Sequence, residues 1–551
     1  MLTVPVTLQW TFDAAVHKLL RLPALDPQLR LLVLNLCCRP SSSFAHLLRH
    51  LPPTATANPR LPLPLLALPP AFPTAVSLSF AHHLRRLTLD AVANCLLLRR
   101  DSISAACPTS GTTIQALLRA SDGGINFPDP ALLAPSSFLG SFADSLPTLA
   151  ADPFLRPILA DTASWPSSRS PVLRAAHGAF ALLAPLLIAS VTAPDASCPH
   201  QSLRARLTAP DGRLSIRLLP SAAGRRPQHS FSHAFFTHLT RQLLSPNSTL
   251  TPLARARLRH AAVQPSPMLF QIYYLPPSSA LDQIATQFLY CHRLGVPLPF
   301  LPSPLPNRCH PKCPHYRSAF PASSAALLPH AYHQCGCGAT PRRHRRHDAI
   351  TKIIGDTAAS NLRAHTTMER RLSSSTGQHA TKVDLVITAY DRSPSVTAID
   401  VTISCPLLPT YSPAAATSAA HIFDLRALKK NDTHLAGSIA QGRTFLPIVF
   451  TTLGGIGPPE AVHYLDALFS DSYASELAAT GSTRNTAHAR RLFYQSLLAT
   501  LTKATADMAS ALTIAAFEAS AADASSATNP AFPPDLTPSD GDTDHSDDAE
   551  F

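Results

Sequence analysis

Two aspartates carry the clearest chemical signal in the chain. Asp384 sits in Lys382-Val383-Asp384-Leu385 and Asp400 in Ala398-Ile399-Asp400-Val401-Thr402-Ile403, each a single acid inside an apolar, β-rich run. An unpaired charge in such a setting is costly. Antiparallel pairing around the turn at Asp391–Ser395 brings residues summing to about 786 opposite each other. Asp384 then faces Thr402, with Asp400 as its diagonal neighbour on the same face. One buried acid usually pairs with an arginine or caps a turn. Two on adjacent strands repel unless a cation lies between them, which is how a Mg²⁺ site is built. Glu369, in Met368-Glu369-Arg370-Arg371, is either a third ligand or a solvated helix end. The chain has few lysines, so Lys382 beside Asp384 and the pair Lys429-Lys430 stand out. A hydrolytic site uses a compact cation to position water or neutralise a scissile phosphate, although surface solvation is the commoner fate of such a pair.

A second cluster is rich in soft ligands. Cys309-x3-Cys313 precedes His330-Ala-Tyr-His333-Gln-Cys335-Gly-Cys337. Cys309, Cys313, His330 and Cys335 form one candidate tetrahedral Zn²⁺ set, with His333 or Cys337 as competitors; the alternative is a His-rich loop with incidental thiols. Next come Arg342, Arg343, His344, Arg345, Arg346 and His347, which suit phosphate contacts or a solvated loop.

These residues need elements to hold them. The pattern predicts a helix over Ala349–Leu362, strands over Lys382–Tyr390 and Val396–Ser404, and an Ala-rich helix over Pro413–Asn431. A strand over Thr444–Thr452, a glycine break at 454–459 and helices over Glu460–Ala478 and Ala487–Ala516 follow. Residues 348–516 thus form an α/β domain. Residues 301–347, dominated by Pro, Cys, His and Arg, look like a metal-stapled basic segment. Residues 1–150 read as helical, with short helices such as Phe12–Leu20 and Leu29–Cys38, Pro-rich connectors at 52–74 and a glycine turn at Ser121–Phe127 before Ala134–Phe142. Residues 151–300 alternate apolar helical stretches with Pro/Ser/Arg connectors and carry no assignable chemistry. Residues 517–551 read as an acidic disordered tail.

Composition sets the limits. The 551 residues include 54 prolines and 19 glycines, with 45% hydrophobic and 15% charged side chains. That excludes a polyelectrolyte, a single long helical bundle and collagen. The net charge is +12, and residues 521–551 hold eight of the 34 acids with no Lys or Arg, so the rest is more basic still. An anionic polymer is the natural partner of such a surface. Arginine abundance alone is weak support, because GC-rich coding produces it too. Eleven cysteines are too few for a disulfide scaffold. No signal peptide is read, and the most apolar segment, 178–193, is short and contains Pro185, so a buried helix is expected rather than a membrane span. A nuclear or cytoplasmic location is expected.

Read together, the Cys/His cluster, Arg346-His347-Asp348, Lys382-Val383-Asp384, Asp400-Val401-Thr402 and Lys430 resemble the carboxy-terminal part of non-LTR retrotransposon polyproteins. There a CCHC-type knuckle precedes an R-H-(N/D) helix, and K-P-D, an Asp/Glu on the next strand and a downstream Lys complete a restriction-like endonuclease of the P-D…(D/E)-x-K fold. Ser121–Phe127 with Ala134–Phe142 is similar to the G-G-(L/I)-x-(L/F)…A-x-x-G-S segment beyond the polymerase thumb. The resemblance implies a mixed fold, an α-helical N-terminal region followed by an α/β restriction-endonuclease-like domain. It implies Mg²⁺-dependent nicking of target DNA to prime reverse transcription, with DNA and possibly element RNA as partners. The sequence departs in three places. Val383 replaces the proline, the Asp384–Asp400 gap is slightly long, and Thr402 takes the x-K position, leaving Lys429 or Lys430 to supply the lysine. No Tyr/Phe-x-Asp-Asp is present, and the single Asp-Asp is Asp547-Asp548, so this chain is not expected to be a reverse transcriptase. The alternative expectation is a catalytically inactive nucleic-acid-binding remnant.

Overall fold

The structure, a computed structural model, describes residues 75–98, 103, 111–189, 199–219, 227–271, 280–301, 305, 309, 313, 331–337, 341–362, 364–372, 381–389 and 396–527. The expected helices Phe12–Leu20 and Leu29–Cys38, the connectors at 52–74, the turn at Asp391–Ser395, His330 and residues 528–551 lie outside them. The chain divides into two compact units, Met1–Thr251 and Pro252–Phe551. The expected 151–300 segment is therefore shared between them.

The first unit is helical. Its described helices are α1 (Ala75–Cys95), α2 (Gly111–Ala116), α3 (Pro130–Ala151), α4 (Leu155–Ala160), α5 (Pro171–Ala189), α6 (Pro199–Leu207) and α7 (Pro227–Leu244). Leu139, Leu146, Leu183, Leu187, Phe231 and Phe236 are among its buried side chains. The glycine pair is used twice over. Gly123 adopts φ +88°, the left-handed region, and a Cβ on Gly124 would meet the Leu118 carbonyl oxygen at 2.2 Å. The apolar 178–193 segment is largely the end of α5, and among the described residues no helix is long and apolar enough to cross a membrane.

The second unit contains α8 (Pro252–Ala262), α9 (Gln283–Leu294), α10 (Arg342–Leu362), β1 (His365–Leu372), β2 (Thr381–Thr388) and β3 (Val396–Ser404). After these come α11 (Ser412–Ala415), α12 (Ala420–Ala440), β4 (Thr444–Thr451), β5 (Ile456–Gly457), α13 (Pro459–Ala467), α14 (Ser470–Thr480) and α15 (Arg484–Ala527). The strands form one mixed sheet in the order β1-β2-β3-β4-β5, antiparallel except for the parallel β3–β4 pair. One face buries Leu385, Ile387, Ile399, Val401, Ile448 and Phe450 against Ile350 and Ile354 of α10, with Leu465 and Leu497 completing that core. On the other face, Phe423 and Ala427 of α12 cover Val449. The fold is thus mixed, mostly helical with one small sheet.

Several sequence expectations need correction. The basic run 342–347 is the start of α10 rather than a loop, since arginine is a good helix former and continues the pattern of Ala349–Leu362 backward. Glu369 lies on β1, not at a helix end. That strand escaped notice because it is an edge strand with charged residues, the composition that discourages edge-to-edge pairing. The last helix runs on to Ala527, so residues 517–527 are helical and not part of a disordered tail; their alanines favour it. The hairpin register is also tighter by two: Leu385 pairs with Ile399 and Val386 with Ala398. A shift of two preserves the faces, whereas a shift of one would reverse them. The two aspartates therefore stay on one side, at register positions directly across rather than diagonal.

Candidate metal centres

The β2–β3 ladder ends at Leu385–Ile399, one residue short of the two acids. There β3 continues alone with β4, through Asp400↔Pro447 and Val401↔Ile448. The Asp384 carboxylate fills the place of the missing strand partner, with its Oδ2 accepting from the Val401 amide at 2.6 Å. A strand fork of this kind brings carboxylates to the sheet without burying an unpaired backbone group.

His347, on the second turn of α10, sets its Nε2 2.9 Å from Asp384 Oδ2 and 3.1 Å from the Val401 carbonyl oxygen. Its Nδ1 lies 3.1 Å from Asp348 Oδ1. On the other side, Asp400 Oδ2 is 3.1 Å from Lys430 Nζ and 3.0 Å from His434 Nε2. Helix phase explains this choice: Phe423, Ala427, Lys430, His434 and Ser438 recur every three or four residues along the buried stripe of α12. Lys429, one position off the stripe, is exposed but still lines the adjoining cavity.

His347, Asp384 and Asp400 each offer a ligand atom, all within 4.8 Å of one another. They open into a cavity of about 250 Å³ whose wall also includes Arg343, Thr402, Arg426 and Gly336. Burial would lower the His347 pKa, but the hydrogen bond and charge of Asp384, with Asp348, raise it to about 9. Burial raises Asp384 to about 6, and the neighbouring Asp400 carboxylate adds to the rise against the pull of His347. Asp400 goes the other way. Burial opposes its ionisation, yet His434, Asp384 and Lys430 together hold it below the usual carboxylate range.

Of the other residues singled out, Lys382 is exposed at the start of β2 and lies outside the cavity wall. Glu369 stands on β1 between Met368 and Arg370, the partners of Leu385 and Val383; its side chain is outside the described residues. Arg342 pairs with Asp507, Arg343 lines the cavity and Arg345 is exposed. Arg346 is only 2% exposed, so it is withdrawn from the surface; its Nη1 donates to the Cys335 carbonyl at 3.0 Å and to Thr505 Oγ1 at 3.3 Å. His434 and Arg426 join the site without any motif that marks them in the sequence. The signal for His434 was its position one helical turn after Lys430. Arg426 offers no such signal; its Nη2 donates to the Tyr411 hydroxyl at 2.7 Å.

The second centre is a buried Cys₃His cluster, Cys309, Cys313, His333 and Cys337. One expected ligand changes: Cys335 lies beside Cys405 and Arg346. His330 is outside the described residues. The reason is local: residues 331–337 wind through a turn in which Cys337 N donates to His333 O at 3.0 Å, so His333 and Cys337 share one side. The dimensions suit a metal such as zinc. Cys309 Sγ and Cys337 Sγ are 3.7 Å apart and Cys313 Sγ is 3.5 Å from His333 Nε2. A tetrahedron with Zn–S bonds of 2.3 Å has S···S edges of about 3.8 Å and S···N edges of about 3.6 Å. Crowding of the buried thiols hinders their ionisation: the contacts with Cys313 and Cys337, then burial, push the Cys309 thiol far up. A bound metal would reverse that.

A scan against protein-family models finds no match, and a comparison with curated proteins finds no similar one.

Proposed function

We propose that the second unit is a metal-dependent DNA endonuclease with a restriction-like fold, the carboxy-terminal enzyme of a retroelement polyprotein. The observation that carries this reading is the convergence of Asp384, Asp400 and Lys430 at the strand fork, beside a cavity bordered by Arg343, Arg426 and Lys429. Asp384 and Asp400 would hold Mg²⁺, which would supply Lewis-acid polarisation of the phosphate and an activated water. Lys430 adds to the hold of His434 on the ionised form of Asp400 and sets an ammonium next to the reacting centre. Arg343, Arg426 and Lys429 provide positive charge for the DNA backbone, contacts that fix register without reading sequence. The CCHC order of Cys309, Cys313, His333 and Cys337 ahead of Arg346-His347-Asp348 supports the retroelement reading.

The test is nicking of supercoiled plasmid by the full chain with Mg²⁺. The reading expects open-circle product, lost on substituting Asp384 and Asp400 together by Asn.

One observation favours a second reading, a nucleic-acid-binding remnant without catalysis. His347 and the Lys430–His434 pair already balance the two acids. That reading expects DNA binding with steep salt dependence and no nicking with Mg²⁺ or Mn²⁺.

A further inference from the structure

The Cys₃His cluster and the acidic centre share a wall. Gly336, between two members of the metal loop, lines the cavity that holds Asp384 and Asp400. The preceding residue, Cys335, contributes no ligand atom to the cluster, yet its carbonyl is gripped by Arg346 from α10. Arg346 also reaches Thr505 on α15, and the next residue along, His347, makes the contacts with Asp384 and with the carbonyl of Val401. The metal loop therefore touches the acidic centre through one buried guanidinium and one backbone position.

The loop needs support to keep this shape. Ala331 holds φ +56°, a left-handed conformation that a non-glycine residue keeps only when its surroundings enforce it. The turn is fastened by Cys335 N to Ala331 O and by Gly336 N and Cys337 N to His333 O, each at 3.0 Å. His333 and Cys337 are two of the four side chains that could hold a metal. A metal there would fix both ends of the turn that presents the Cys335 carbonyl.

We infer that Arg346 is a positioning residue that couples metal occupancy of the Cys₃His cluster to the acidic centre, so that the cluster is a structural part of the cation site and not a separate DNA-binding appendage. Its Nη1 alone spans the Cys335 carbonyl and Thr505 at once; a lysine side chain ends one atom short of that nitrogen and does not reproduce the bridge. Outer partners of metal ligands commonly alter affinity by about 10–100-fold when removed.

The inference rests on the nuclease reading for its activity arm alone, so binding is read separately. The full chain carrying one equivalent of Zn²⁺ is titrated with Mn²⁺ and followed by the Mn²⁺ electron paramagnetic resonance signal. Arg346→Lys should keep its zinc and yet bind Mn²⁺ about 10-fold or more weakly. Removing zinc from the wild-type chain should weaken Mn²⁺ in the same way, and restoring one equivalent should recover it. Cys335→Ala, which keeps the carbonyl, should match wild type in zinc content and Mn²⁺ affinity. Wild-type Mn²⁺ affinity in zinc-loaded Arg346→Lys, or in a folded zinc-free chain, would overturn the coupling. If nicking is absent while Mn²⁺ affinity follows zinc and Arg346, the coupling stands and the catalytic reading alone falls.

Discussion

Lys430, from α12, and Asp400, from β3, meet at 3.1 Å although thirty positions separate them in the chain. In the (D/E)-x-K arrangement the lysine follows its acid on the same strand, and here that position is Thr402, which also lines the cavity. The ammonium thus reaches the acid from a helix instead of the strand. Lys430→Ala should lower nicking by about 10²–10³-fold, the usual loss of a positioned charge at a reacting centre. Lys429→Ala, off the buried stripe, should weaken DNA binding but change turnover at saturating DNA less than about threefold. The sharper experiment adds Thr402→Lys to Lys430→Ala in a plasmid-nicking assay; partial recovery is expected, and equal loss in both lysine variants would remove Lys430 from its role.

The basic start of α10 divides by exposure. Arg345 is exposed and Arg343 faces the cavity, whereas Arg346 is buried. Arg343→Ala and Arg345→Ala should each weaken DNA binding about equally for any sequence and reduce the salt slope by about one. Arg346→Ala should act on folding, costing about 1–3 kcal/mol by leaving the Cys335 carbonyl without its donor. Binding isotherms across a salt series, set beside thermal melts, separate the two classes.

The metal loop gives a ligand-by-ligand forecast. One zinc per chain should be found by elemental analysis, and Cys309→Ser, Cys313→Ser, His333→Ala or Cys337→Ser should each reduce it. His330→Ala and Cys335→Ser should leave it at one. Retention of zinc in Cys337→Ser together with its loss in Cys335→Ser would restore the set expected from spacing. Stripping the metal should lower the melting temperature, since metal affinity in such sites is also folding free energy.

Acid sensitivity should come from His260 of α8. It is fully buried 6.0 Å from the Phe423 ring, and neither ring nitrogen has a hydrogen-bond partner among the described residues. Burial, with a smaller contribution from Arg259, lowers its pKa to about 4. The folded state therefore prefers the neutral ring. Stability is fully present above the unfolded-state pKa of about 6.5 and falls as pH drops toward 4, by up to about 3 kcal/mol. His260→Leu should flatten that limb of a melting-temperature profile between pH 4 and 7; an unchanged slope would exclude His260 as its source.

Much of the acidic centre was legible because strands alternate and helices repeat. Asp384 and Asp400 stand at even positions and the core-facing Leu385, Ile387, Ile399 and Val401 at odd ones, so even a hairpin register wrong by two residues kept the acids together on one face. Lys430 was within reach of the sequence, but choosing it over Lys429 required the phase of α12, which its weakly amphipathic, Ala-rich sequence conceals. The Cys₃His set was legible in composition and not in membership. Which of two histidines and two thiols face inward depends on the winding of residues 331–337, including the left-handed Ala331, and no spacing rule contains that. The partnership of His347 with Asp384 was hidden for another reason. It joins the start of a helix to a strand thirty-seven positions later, and a histidine inside an arginine run reads first as part of a phosphate-binding surface.

The central claim is that a divalent cation occupies the strand fork between Asp384 and Asp400. Crystals of the full chain soaked in Mn²⁺ and measured at the manganese absorption edge test it directly. An anomalous peak about 2.1–2.2 Å from a carboxylate oxygen of each aspartate is expected. A fork without a peak, with Asp384 still on His347 and Asp400 still on Lys430 at saturating Mn²⁺, would contradict it.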